Sequence, residues 1–231
     1  MTPIWGGACI IAALFGVRDR KGAIYSKAPR EWSKALLFVA GARVIEHDKH
    51  HKMGEQHIFI ANHVSWFDVF AMAAHLRWFK FVAKAELFRI PLFGRAMRSA
   101  GMVPIERQNR KAAFGAYKEA AQRIHEGASV VVFAEGTRGY SYALRPFKKG
   151  PFVLAIEAQA PIVPVLILGA MEIHRRGGWR IRSGEIHLHY LPAISSAGMT
   201  YEDRDLLARQ AYTAIAAKLE AETGIVSPPP R

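Results

Sequence analysis

The chain has 231 residues, 51% of them hydrophobic, which is enough to bury one sizeable core and short for two full domains. Thirty-two Lys and Arg against nineteen Asp and Glu give a formal charge of +13, so the surface attracts anions: nucleic acid, acidic lipid, phosphorylated small molecules or an acidic carrier protein. The single cysteine, Cys9, excludes an internal disulfide framework.

The first apolar run, Pro3 to Val17, is shorter than the roughly 20 residues a helix needs to cross a bilayer, and it carries no secretory-signal pattern. Arg18, Arg20 and Lys21 follow it. A second stretch then sets Trp32, Ala35, Leu36, Val39 and Ala40 at helical spacing, with Lys27, Arg30 and Lys34 around its start. Residues 1–45 therefore read as a membrane-associating helix pair that dips into one leaflet, against the simpler alternative of an N-terminal pair of core helices. The polar stretch "EHDKHHKMGEQH" carries His47, His50, His51 and His57 at irregular spacing, which suits a solvated loop better than a metal site.

From Ile58 short apolar runs alternate with longer periodic ones. "IFIAN" precedes a helix from about Ser65. "FKFVAK" precedes a helix started at Pro91 and ended near Gly101. "MVPI" precedes a helix from Ala112 to Glu126, closed by Gly127. "SVVVFA", a long loop and a helix from about Pro151 lead to "PIVPVLIL", whose Pro161 and Pro164 suggest a strand at an edge or an end. "EIHLHYL" and a helix from about Asp203 to Ala221 complete the pattern. The alternation implies an α/β fold: one layered domain over 46–223, with a central mixed, largely parallel sheet flanked by helices, and a disordered tail over 224–231.

Two groups of residues sit where chemistry is done in such folds. In "ANHVSWFD", His63 and Asp68 are five residues apart; on a continuous helix they would point about 140° apart, but they can meet if His63 lies in the turn before the helix. The carboxylate would then fix the imidazole tautomer and leave the other nitrogen as a base. Ser65-Trp66-Phe67-Asp68 also fits a capping box, in which Asp68 serves only the helix terminus. In "VVVFAEGTRGYS", Glu135, Gly136, Thr137 and Arg138 follow a buried strand, at the end of a sheet where ligands bind. Glycine permits close backbone approach there and arginine offers a planar fork for phosphate. Between Arg77 and Arg123, eleven Lys and Arg outnumber three Glu, which suits a solvated basic face, a membrane surface or an anionic pocket. No phosphate-binding glycine loop, dinucleotide turn or metal-ligand spacing is present.

Taken in order, these fragments resemble the glycerolipid acyltransferase family typified by 1-acylglycerol-3-phosphate acyltransferases. "NHVSWFD" matches its NHxxxxD block, "GMVPIER" its second block, "FAEGTR" its FPEGTR block and "IVPV" its VPV block; "KAELFRIPLFG" matches as well. The likeness spans roughly Ile58 to Leu168. Ala134 replaces the usual proline, and Glu106 stands where aspartate is common, so no expected functional group is lost. The resemblance implies acyl transfer from a thioester of coenzyme A or acyl carrier protein to the hydroxyl of lysophosphatidic acid. It implies His63 and Asp68 as the catalytic pair, and Lys84, Arg107, Glu135, Gly136, Thr137 and Arg138 as the acceptor pocket. It also implies no cofactor, no metal, and a place at the cytoplasmic face of the inner membrane. Another lysolipid acceptor is the nearest alternative. A nucleic-acid-binding protein would account for the charge but not for the placement of NHxxxxD and EGTR, so no nucleic acid is expected as a partner.

Overall fold

The computed structural model describes residues 7–12, 15, 17, 23–54, 56–106 and 110–230. Arg18, Arg20, Lys21 and Arg107 lie outside them. The chain folds as α1 (Ile24–Val39), β1 (Ala42–His47), β2 (Ile58–Ala61), α2 (Trp66–His75), β3 (Phe79–Lys84), α3 (Phe93–Ser99), β4 (Val103–Ile105), α4 (Arg110–His125), β5 (Ser129–Phe133), α5 (Gly150–Ala158), β6 (Ile162–Leu168), α6 (Ala170–Ile173), β7 (Gly184–Tyr190) and α7 (Arg204–Thr223). The strands form one sheet in the order β1-β7-β6-β2-β5-β3-β4. Every neighbouring pair is parallel except β6 and β7. This is the expected α/β class with a mixed, largely parallel sheet.

Two layers of helices explain why the central strands read as unbroken apolar runs, since a parallel sheet is covered on both faces. Phe59, Ala61, Val131, Phe133, Val163 and Val165 turn to one side and pack with Ala71 and Met72 of α2. Ile58, Ile60, Val130, Val132 and Ile162 turn to the other and pack with Ala120 of α4, Phe152 and Leu154 of α5, and Leu207 of α7. The period of two along each strand sorts one run into two cores.

Four features depart from expectation. First, a strand, β1, occupies 42–47, across the boundary placed after residue 45, and its partner is β7, about 140 residues away. Second, β6 is an interior strand, between β7 and β2, and not an edge. Pro164 is tolerated because its carbonyl accepts the Leu191 amide at 2.9 Å, so its missing N–H faces β7 where that ladder ends at Val165. Third, the tail is tied down: the Leu144 amide donates to Ser227 Oγ at 3.0 Å and the Tyr212 hydroxyl donates to the Pro228 carbonyl at 2.6 Å. Fourth, Trp32 of α1 faces the protein, edge-on to Phe70 at 5.4 Å and tilted against Phe93 at 6.0 Å. Residues 7–12 are helical and Cys9 is buried against Tyr25 and Ala28. Among the described residues no helix is long and apolar enough to cross a membrane.

Candidate active site

The site forms where β2 and β5 end. Beyond Ala61 the chain turns, and the buried Asn62 side chain pins that turn to β6: its amide donates to the Ile167 carbonyl at 2.9 Å and its oxygen accepts the Ile167 amide at 2.7 Å. The side chain thus replaces one rung of the ladder. The His63 carbonyl accepts the Gly139 amide at 2.7 Å. With α2 starting at Trp66, His63 lies before the helix, as the geometric argument requires.

His63 Nδ1 lies 2.8 Å from Asp68 Oδ2. The same oxygen accepts the amides of Val64 at 2.7 Å and Ser65 at 2.8 Å. Asp68 is therefore both the capping-box acid at the start of α2 and the partner of the histidine; the two readings of the sequence hold together on one atom. Ser65 completes the cap by accepting the Phe67 amide, and its hydroxyl donates to the His174 carbonyl at 2.7 Å. Asp68 is wholly buried, while the His63 side chain keeps 13% of its surface exposed. Phe133 stacks on the imidazole at 4.1 Å between ring centres, which holds the ring plane.

The exposed edge of His63 opens into a cavity of about 1440 Å³. Its lining includes the apolar Trp32, Phe81, Phe93, Met97 and Met102 and the basic Arg138, Lys148, Lys149 and Arg204, with Glu86, Glu106 and Glu135 also present. Several of the apolar residues between Phe67 and Met102 thus line space, whereas Phe67, Met72 and Phe79 are core.

Lys84, Glu135, Gly136, Thr137 and Arg138 all line this cavity with His63. Lys84 is exposed and pairs with Glu86 at 3.0 Å. Arg138 lies with its guanidinium 4.9 Å over the Trp66 ring. Burial and the neighbouring Arg176 pull its guanidinium below the usual arginine range, against the opposing pull of Asp68. Gly136 has φ +76, and a Cβ there would come within 3.3 Å of Lys148, so glycine suits both the backbone and the close approach.

Glu135 lines the cavity and is also held within the chain. Its Oε1 accepts the His63 amide at 2.9 Å and its Oε2 accepts Arg145 Nε at 3.0 Å. Both oxygens are thereby engaged within the chain. Burial pushes this carboxyl up, and the bonds from the His63 amide and Arg145 work against that shift. Trp66, Arg145, Lys148 and Arg176 were not singled out in the sequence: Trp66 and Arg176 meet Arg138 from distant segments, and Arg145 and Lys148 fold back on the EGTR loop along an irregular path that no periodicity signals.

Among the described residues, His47, His187 and His189 place three nitrogens within 4.8 Å of one another. The alternation in "EIHLHY" is the signal for the last two. His47 stacks flat on His189, 4.2 Å between centres and 7° between planes, so their lone pairs lie in parallel planes and do not converge on one ion.

A layered α/β domain with a carboxylate-held histidine beside a cavity lined by apolar and basic side chains has the parts of a site that could move a proton. A family model described as Acyltransferase matches residues 41–168. The chain belongs to that family. It is 34% identical over 120 residues to a 1-acyl-sn-glycerol-3-phosphate acyltransferase of Brassica napus, covering 52% of this chain and 35% of the relative. It is 32% identical over 177 residues to the human 1-acyl-sn-glycerol-3-phosphate acyltransferase alpha, covering 75% and 62%. The chain thus spans between about a third and two thirds of these relatives' length. Its fold matches the 1-acyl-sn-glycerophosphate acyltransferase PlsC of Thermotoga maritima with a TM-score of 0.78 at 22% identity, over 97% of this chain and 91% of that one.

Proposed function

We propose that this chain transfers a fatty acyl group from a thioester, of coenzyme A or acyl carrier protein, to the free hydroxyl of lysophosphatidic acid, giving phosphatidic acid. The observation that carries the reading is the His63–Asp68 contact at 2.8 Å at the mouth of the cavity. The family membership and the printed names of the relatives support the choice of acceptor.

Asp68 accepts the Nδ1 proton, so the lone pair of His63 lies on Nε2. That nitrogen takes the proton of the acceptor hydroxyl as the oxygen attacks the thioester carbonyl carbon. The C–O bond forms, the C–S bond breaks as the tetrahedral adduct collapses, and the leaving thiolate takes the proton back from His63. No acyl-enzyme and no cofactor enters this sequence. The Val64 and Ser65 amides already donate to Asp68, so donors for the oxyanion must come from elsewhere in the cavity wall.

In this reading Arg138, Lys84 and Arg107 grip the acceptor phosphate, with Gly136 and Thr137 forming the loop beneath it. Glu135 acts by position, holding the His63 turn against the EGTR loop. The apolar part of the cavity takes the acyl chain.

The substrates are lipids, and the N-terminal region supports a membrane surface as the workplace. Ile11, Phe15, Phe38 and Val39 are all more than half exposed. Such side chains suit helices lying in the interface, on the cytoplasmic face where thioester donors are met. The deciding experiment offers the purified chain a panel of lysolipids with acyl-coenzyme A and acyl carrier protein and identifies products by mass. Phosphatidic acid from lysophosphatidic acid is expected; preference for another lysolipid would move the acceptor assignment, and no acyl transfer in any combination would end the reading.

A further inference from the structure

Residues 174–183, between α6 and β7, read HRRGGWRIRS: four arginines and no acid. The segment is a closed surface loop. The Arg182 amide donates to the Ile173 carbonyl at 2.9 Å across its base, and the Gly178 amide donates to Arg175 O at 3.0 Å near its tip.

What projects is unusual for a water-facing loop. Trp179 is 83% exposed and Ile181 58% exposed. Arg175, Arg180 and Arg182 are exposed around them, and Tyr140 stands nearby, 77% exposed, with Arg176 at 4.4 Å over its ring. Single exposed apolar residues need no explanation, but tryptophan and isoleucine set among arginines match the composition that partitions into an anionic membrane interface. A nucleic acid would use the tryptophan face for base stacking, and Arg180 covers that ring at 4.8 Å.

The loop is also fastened to the rim of the cavity. Arg176 donates to the Arg138 carbonyl, and the His174 carbonyl accepts the Ser65 hydroxyl at 2.7 Å. We infer that loop 174–183 docks the protein on an anionic bilayer, with Trp179 and Ile181 entering the interface and the arginines meeting lipid phosphates, so that the cavity mouth faces the lipid from which a lysolipid acceptor is drawn. The use made of docking rests on the proposed function; the docking itself does not.

Vesicle co-sedimentation of the full chain tests this, comparing phosphatidylcholine alone with phosphatidylcholine containing phosphatidylglycerol. The unmodified chain is expected to bind the anionic vesicles preferentially. The double substitution Trp179→Ser with Ile181→Ser is expected to weaken that partitioning at least about tenfold. Arg180→Glu with Arg182→Glu should weaken it further, since each basic residue near the surface contributes about fivefold. Turnover of a short-chain, monomeric lysophosphatidate should stay within about twofold in the tryptophan–isoleucine variant, while turnover of vesicle-borne acceptor falls with binding. Bromine-labelled lipid should quench the fluorescence of the unmodified chain more than that of Trp179→Phe. Unchanged partitioning in both double variants would overturn the inference. If no variant or parent shows acyl transfer yet vesicle binding still follows these residues, the docking stands and the acyltransferase reading falls.

Discussion

The carboxylate of Glu135 accepts the backbone amide of His63 at 2.9 Å, and its other oxygen accepts Arg145 at 3.0 Å. One buried side chain thereby joins two loops that are 72 residues apart in the sequence and holds His63 against the EGTR loop. Glu135→Ala leaves the His63 amide and Arg145 Nε without their acceptor, though the Arg145 guanidinium keeps the Thr137 carbonyl, and costs about 1–3 kcal/mol. The expected result is lower stability in urea unfolding together with a fall in kcat. Glu135→Gln keeps an oxygen for the His63 amide and should recover much of the stability. A rise in acceptor KM alone, with kcat unchanged, would instead place this carboxylate against the substrate.

Asp68 holds the imidazole and caps α2 with the same oxygen, so its loss should register twice. Asp68→Ala is expected to lower kcat by about 10² or more and to destabilise the fold by about 1 kcal/mol through the lost cap. His63→Ala should lower kcat comparably while leaving the melting temperature nearly unchanged. Ser65→Ala removes the other half of the cap and the bond to the His174 carbonyl, and should lower stability more than turnover. Thermal melts beside steady-state kinetics for the three variants separate the roles.

Arg138 lies over Trp66 beside the His63 edge of the cavity. Charge-assisted hydrogen bonds are worth about 1.5–3 kcal/mol, so Arg138→Ala should raise the acceptor KM by about tenfold to a hundredfold. The thioester KM should hardly move. Varying each substrate in turn checks this, and a change confined to the thioester would reassign Arg138 to the donor.

A second prediction about stability concerns Glu46. It accepts from Lys52 and from the Tyr190 hydroxyl at 3.0 Å, and its other oxygen lies 3.0 Å from His75 Nδ1. Burial pushes this carboxyl up, but the bonds from His75 and Lys52 outweigh it and hold the group at about 2, below its ordinary 4.5. The folded value lies below the unfolded one, so the unfolded chain takes up the proton first. The stabilisation is complete above about pH 4.5 and is lost as pH falls toward 2. Glu46→Gln should flatten that part of the curve, read as melting temperature against pH for both proteins.

What could be read along the chain and what could not divide by distance. The strand–turn–helix at "IFIANHVSWFD" places His63 and Asp68 within reach because only five residues separate them and backbone geometry leaves few arrangements; the EGTR loop was legible for the same reason, ending a strand of four apolar residues. Whether Asp68 caps the helix or holds the imidazole was not legible, because one oxygen does both and its three donors meet only in the folded chain.

The remaining features depend on contacts between distant segments. β1 straddles the end of the region read as helical and the start of the polar stretch, and becomes a strand because β7 offers it a parallel partner about 140 residues later. Pro164 fits an interior strand because the neighbouring ladder stops beside it. Glu135 finds the His63 amide, and loop 174–183 finds Arg138, through the way the ends of the sheet gather their loops. By itself the sequence determined the alternation of elements, the identity of the chemical groups and the local turns that present them, since those follow from propensity and spacing over a few residues. Only the tertiary structure decided which groups share a cavity and which partners each buried carboxylate meets, because those outcomes depend on strand register and side-chain packing across the whole sheet.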